Sequence, residues 1–232
     1  MTNPITPILA VYATMAIATI VVMYRGDQSR YLMAKTITSV LFIALGIVCW
    51  QTGEGGALPE SWMRILPGLV FCLCGDVFLA LAHEIDNNLD PKFFRLGVGS
   101  FLIAHLFFCF EIMAVLNIYA PQKVLPVIFG VVTVGVSIFC SRSDMYDYKG
   151  NARPAILYSF FVGFLCGLGV QLMISMGPTG KWLIMGAGSI LFLLSDLTLS
   201  NKYFLKKKPK PFGAVVLVTY YAAVACFGLY LL

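Results

Sequence analysis

The chain has 232 residues, of which 59% are apolar and only 12% charged, and it carries a net charge of +5. A soluble domain carries about 25% charged residues, so a chain this apolar has lipid as its main solvent. The mean hydropathy of +0.87 agrees. The positive balance does not mark a nucleic-acid binder, because the basic residues sit in clusters between apolar runs rather than on one polar module.

Eight apolar runs follow in chain order: Ile5–Tyr24, Tyr31–Trp50, Trp62–His83, Leu96–Ile118, Val124–Phe139, Pro154–Met176, Trp182–Ser200 and Phe212–Leu232. A membrane-spanning helix needs roughly 20 such residues. The sequence therefore predicts an all-α, polytopic bundle of eight transmembrane helices forming a single transmembrane domain over residues 1–232. The first run lacks a basic leader and a small-residue cleavage site, so it reads as a retained span rather than a signal peptide. The fifth is the shortest, with Pro121–Lys123 as its natural extension. Gly163, Gly167, Gly169, Gly186 and Gly188 offer places where helices can approach closely. Most of the seven cysteines lie inside the apolar runs and read as small buried hydrophobes.

Charge orients the bundle. When alternate connections are grouped, 13 of the 16 Lys and Arg residues fall on one side. These include Arg25, Arg30, Lys35, Arg142, Arg153 and the Lys202–Lys210 cluster; Arg64, Lys123 and Lys181 fall on the other. The positive-inside rule makes the basic side cytoplasmic and both termini exoplasmic. Short loops and tails suit a bacterial inner membrane.

Two internal echoes suggest a repeat. Met33–Lys35 precedes one apolar run as Asn151–Arg153 precedes another, 118 residues later. Gly75–Leu79 resembles Ser195–Leu199, 120 residues later. Helices one to four and five to eight read as two copies of one unit; chance likeness between apolar helices is the competing explanation.

A charge at membrane depth is costly and marks a functional candidate. Asp76 and Asp196 occupy matching depths toward the cytoplasmic ends of the third and seventh runs. His105 lies mid-way along the fourth, Lys35 and Arg153 near cytoplasmic mouths, and Tyr158 and Tyr220 in cytoplasmic halves. Two carboxyl groups in one low-dielectric chamber divide into an acid and a base, which suits hydrolysis. Each residue also has a plainer reading. Asp76 pairs with Lys35 or caps a broken helix, His105 satisfies a buried carbonyl, Lys35 and Arg153 snorkel, and the tyrosines pack locally. Glu111 is set aside as a surface candidate, and His83 as an interfacial one. With only two histidines and no helical pair at metalloprotease spacing, no metal site is expected.

The segments Leu73–Leu81, Gly97–Phe108 and Leu191–Phe204 resemble the third, fourth and seventh spans of the YhhN/TMEM86 family of integral membrane proteins. Ala34–Lys35, Arg153–Pro154 and Leu217–Ala223 fit the same pattern, so the resemblance covers nearly the whole chain. It implies a lysoplasmalogenase, which hydrolyses the vinyl ether of a lysoplasmalogen to a fatty aldehyde and glycerophosphocholine or glycerophosphoethanolamine. It implies Asp76 and Asp196 as the catalytic residues, with Lys35, His105, Tyr158 and Tyr220 at recurring polar positions. The linker Glu84–Arg95 is longer and more acidic than that pattern.

Vinyl ether hydrolysis fits two carboxyl groups. An acid protonates the alkene carbon, water adds to the resulting oxocarbenium ion, and the hemiacetal collapses to aldehyde and alcohol, much as glycosidases share labour between two carboxyls. No cofactor is required. The expected partners are a lysophospholipid substrate and membrane lipids, with Lys35, Arg153 or the Lys202–Lys210 cluster meeting the head group. A proton- or cation-coupled transporter and a non-catalytic lipid-binding protein are the competing classes.

Overall fold

The computed structural model describes residues 4–82, 90–119, 124–148, 150–207, 209 and 211–232. Eight α-helices follow in order: α1 (Ile5–Arg25), α2 (Gln28–Thr52), α3 (Ser61–Leu81), α4 (Pro91–Tyr119), α5 (Val124–Arg142), α6 (Ala152–Met176), α7 (Gly180–Phe204) and α8 (Phe212–Leu229). All eight are long and apolar enough to cross a bilayer. The chain is an all-helical integral membrane protein. Large apolar side chains such as Ile17, Val131 and Phe139 face outward, the last 71% exposed, as lipid allows and water does not.

The boundaries depart from the apolar runs where polar chemistry extends or ends a helix. Asp27 caps α2 by accepting from the Arg30 N–H at 3.0 Å. Asp90 accepts from the Lys92 N–H at 2.8 Å, so α4 begins at Pro91, five residues before the apolar run. Helix α3 stops at Leu81, short of His83. That residue lies outside the described segments, as do residues 84–89 of the Glu84–Arg95 linker, Pro121–Lys123, Lys149, Lys208 and Lys210.

The chain divides into two compact units. One comprises Met1–Phe108 with Val224–Leu232, the other Cys109–Ala223. These boundaries fall inside α4 and α8, not at the junction between the first four and last four helices.

In the first unit α2 packs against both α1 and α3. Thr19 of α1 and Thr38 of α2 share a buried hydrogen bond of 2.9 Å. A side chain at Gly68 would enter the ring of Phe108, which stacks on Phe227 at 4.0 Å. Trp50 stacks on Trp62 at 4.7 Å across the α2–α3 connection. Helix α8 ends at Leu229 rather than Leu232 because the last residues turn back onto that connection. There the carbonyls of Leu232 and Leu231 accept from the N–H groups of Glu54 and Gly55 at 2.9 and 3.1 Å.

In the second unit α6 packs against α5 and α7. Of the glycines singled out from sequence, Gly163, Gly167, Gly169 and Gly186 lie at these seams. A Cβ at Gly167 would fall 2.6 Å from Pro126 Cα, and one at Gly163 would fall 2.6 Å from the Phe129 carbonyl. On the α7 side a Cβ at Gly169 would meet Ser189 at 2.6 Å. Small residues therefore set helix separation, the usual basis of packing where lipid removes the hydrophobic drive. Past the membrane ends, the α5–α6 loop is fastened to the end of α7. The Asp147 N–H donates to Phe204 O at 2.7 Å, Lys206 N–H donates to Met145 O at 3.0 Å, and Tyr148 stacks on Phe204 at 4.3 Å.

Candidate functional site

Asp76 is set five residues before the end of α3, and its side chain is 1% exposed. Lys35 of α2, 3% exposed, brings Nζ within 3.4 Å of Asp76 Oδ1. The second carboxylate oxygen is held by Ser39, whose hydroxyl donates to Oδ2 at 2.6 Å. Lys35 and Ser39 stand four residues apart, so both project from one face of α2 onto α3. Asp76 is close to helix α1 as well, where Tyr12 is within its electrostatic reach. A buried carboxylate facing an ammonium and a hydroxyl is satisfied on both oxygens. Its removal from water is offset only by such partners.

Lys35 was read from sequence as a substrate contact, as a snorkelling residue or as the partner of Asp76; its ammonium lies 3.4 Å from Asp76 Oδ1, as the last of these readings has it. Close backbone approach helps place Asp76. A Cβ at Gly75 would fall 2.6 Å from the Phe101 ring, so only glycine lets that ring lie against α3 beside the aspartate. His105 of α4 is fully buried, and its Nδ1–H donates to the Phe101 carbonyl at 2.6 Å. The plainer reading of His105, a satisfied buried carbonyl on its own helix, therefore describes this contact.

In the second unit Asp196 of α7 is half-buried, and the Tyr158 hydroxyl of α6 donates to its Oδ2 at 2.9 Å. The two aspartates thus share one local plan, in which a hydroxyl on the preceding helix donates to the carboxylate. The donor stands 37 residues upstream for Asp76 and 38 for Asp196. Beside Asp196, buried Ser195 turns away to donate to Val216 O at 3.3 Å, so no serine–histidine arrangement includes it. Tyr220 of α8 is buried and packs edge-on against Phe192 at 5.7 Å. Arg153, the second residue of α6, is exposed. Glu111, set aside as a surface candidate, is fully enclosed.

Sequence reasoning missed Ser39 and Tyr12. A signal for Ser39 was present: Lys35, Thr38 and Ser39 form a polar stripe at helical spacing within an apolar run. Tyr12 had none, since an aromatic in a span reads as packing. Among the described residues, no group of three or more His, Cys, Asp or Glu side chains is placed to hold a metal ion.

A family model described as the YhhN family matches residues 29–230. Curated relatives include lysoplasmalogenase TMEM86A of Bos taurus, 28% identical over 212 residues, and its counterpart in Homo sapiens, 26% identical over 213. Each alignment covers 87% of this chain and 79% of the relative. No solved structure matches the chain significantly.

Proposed function

The chain belongs to the YhhN family, and from that premise we propose that it hydrolyses the vinyl ether of a lysoplasmalogen, releasing a fatty aldehyde and the glycerophospho-alcohol. The reading draws its activity from relatives named lysoplasmalogenase. The observation that carries it is the pair of aspartates on helices long and apolar enough to cross a membrane, each held by a hydroxyl donor on the helix before it.

In this mechanism Asp76 and Asp196 carry the chemistry. A carboxylic acid delivers its proton to the alkene carbon distal to the ether oxygen, leaving an oxocarbenium ion. A carboxylate takes a proton from water as the water oxygen bonds to the ether-bearing carbon. As the hemiacetal breaks its bond to the glyceryl oxygen, the second carboxyl, now protonated, gives its proton to that oxygen, which leaves as the alcohol. The first, now a carboxylate, takes the proton of the hemiacetal hydroxyl, and the aldehyde carbonyl forms. Protons and electrons balance with water as the sole co-reactant, and each carboxyl returns to its starting state over the cycle.

Orientation and charge fit a lysolipid. The acyl-like chain rests among apolar helices while Arg153, Lys202, Lys206 and Lys207 supply cations for a phosphate at the cytoplasmic surface. Lys202 lies in the last turn of α7, the helix that carries Asp196, and Lys206 and Lys207 follow that helix directly.

The test is purified protein in detergent given lysoplasmalogen, with free aldehyde and glycerophospho head group measured together. Equal amounts of both are expected. Uptake of lysolipid into proteoliposomes with neither product would replace hydrolysis with transport.

A further inference from the structure

Ser39 has one hydroxyl proton and two acceptors for it. Its Oγ lies 2.6 Å from Asp76 Oδ2 and 2.9 Å from the carbonyl oxygen of Lys35, one turn earlier on α2. Both distances permit a full hydrogen bond, yet only one can receive the proton at a time. We infer that Ser39 is a positioning residue that holds Asp76 in one place through both of its protonation states. The inference rests on the reading of Asp76 as a catalytic carboxyl.

When Asp76 is a carboxylate, the Ser39 O–H points to Oδ2 and Lys35 O gives up its share of that proton. When Asp76 is a carboxylic acid, its own Oδ2–H donates to Ser39 Oγ, and the Ser39 O–H rotates to Lys35 O. No covalent bond to Ser39 forms or breaks, and the serine neither gains nor loses a proton. The hydroxyl turns about its C–O bond and nothing heavier moves. In a site where Asp76 and Ser39 are both buried, an acceptor that became a donor would otherwise strand a polar atom at substantial cost.

The arrangement differs from an ordinary serine back-bond. Thr36 donates to Leu32 O at 2.8 Å and Thr52 donates to Val48 O at 2.7 Å, each at the same four-residue spacing. Those bonds satisfy a hydroxyl that has no better use. At Ser39 the same carbonyl is the resting place for a proton that a carboxylate also claims. Lys35 at Oδ1 and Tyr12 on α1 also act on the aspartate. Of the three, Ser39 offers oxygen lone pairs at 2.6 Å to a protonated Oδ2.

The test compares Ser39→Ala and Ser39→Thr with wild type and Asp76→Asn. Infrared difference spectra of the purified proteins, in acid and in alkali, isolate the Asp76 carboxyl and carboxylate bands as those missing from Asp76→Asn. Ser39→Ala is expected to shift both bands, and Ser39→Thr to restore both. On lysoplasmalogen, Ser39→Ala should lower kcat about tenfold or more while KM stays within about twofold, and Ser39→Thr should recover most of kcat. Unshifted bands in Ser39→Ala would overturn the inference whatever the substrate proves to be. A shift of the carboxylate band alone would also overturn it, reducing Ser39 to an ordinary donor. An inactive Asp76→Asn beside a fully active Ser39→Ala would sink the inference and leave the proposed function standing. A fully active Asp76→Asn would remove Asp76 from the mechanism, and the inference with it. Absence of aldehyde release by the wild type would sink the proposed function and leave the band shifts to judge the inference.

Discussion

Asp76 and Lys35 form a buried ion pair at 3.4 Å, and such pairs respond unequally to loss of one partner or both. Lys35→Met leaves an uncompensated carboxylate in an apolar interior, so it is expected to destabilise the protein by about 3 kcal/mol. Adding Asp76→Asn should recover most of that loss, because the charge that demanded the lysine is gone. Thermal unfolding in detergent of the two single variants and the double variant measures the coupling, and additive losses would refute it. Activity should follow another pattern. Asp76→Asn and Asp196→Asn each keep the side chain's shape while removing ionisation, so each is expected to cut the chemical step severely and to spare lysolipid binding. The double aspartate variant should lose less than the sum of the two free-energy losses, as groups that serve one reaction do. Near-wild-type aldehyde release by either folded single variant would remove that aspartate from the mechanism. Sequence made the two aspartates and Lys35 legible, since charges at membrane depth stand out in any apolar run. Ser39 left only the trace of a polar stripe with Lys35 and Thr38, because a serine inside a span usually bonds its own helix and only proximity to Asp76 changes its meaning.

Among the elements, the α5–α6 seam carries a sharp expectation. Gly167 meets the backbone at Pro126, which cannot rotate away, whereas Gly135 on α5 faces open space. Gly167→Leu is therefore expected to destabilise by about 1–3 kcal/mol through overpacking, and Gly135→Leu to leave the melting temperature nearly unchanged. Equal melting of the two variants would show that this seam yields freely. The loop beyond it adds a pH dependence. Tyr146 donates to Asn201 Oδ1 at 2.8 Å, and burial first, with Cys140 second, pushes its phenol up to about 12 from 10.0. Between those values the folded form holds a proton that the unfolded form has released, so the clamp stabilises below pH 10 and loses that contribution by pH 12. Tyr146→Phe should flatten protease resistance of this loop across that alkaline window. A wild-type profile already flat there would dismiss the phenol's part.

For the whole molecule, 13 of 16 basic residues on one side predict a cytoplasmic Lys206–Lys207 loop and exoplasmic termini. Introduced cysteines near each end should react with an impermeant reagent in intact cells, and one beside Lys206 should not; the reverse pattern would invert the topology. The same apolar and charged pattern pointed, from sequence alone, to an all-helical integral membrane protein with eight candidate spans, and it singled out Asp76 and Asp196 while passing over Glu111, which the fold encloses. Lipid imposes those outcomes locally, residue by residue, because each span must satisfy its own backbone and each buried charge is costly wherever it sits. Tertiary structure decided the rest. That Lys35 answers Asp76, that Tyr158 rather than Ser195 serves Asp196, and that Gly167 faces a backbone are facts of helix rotation and separation. Those depend on close packing between segments tens of residues apart, which helical periodicity leaves open. A span hydrophobic on nearly all sides gives no single apolar stripe to fix which face turns inward.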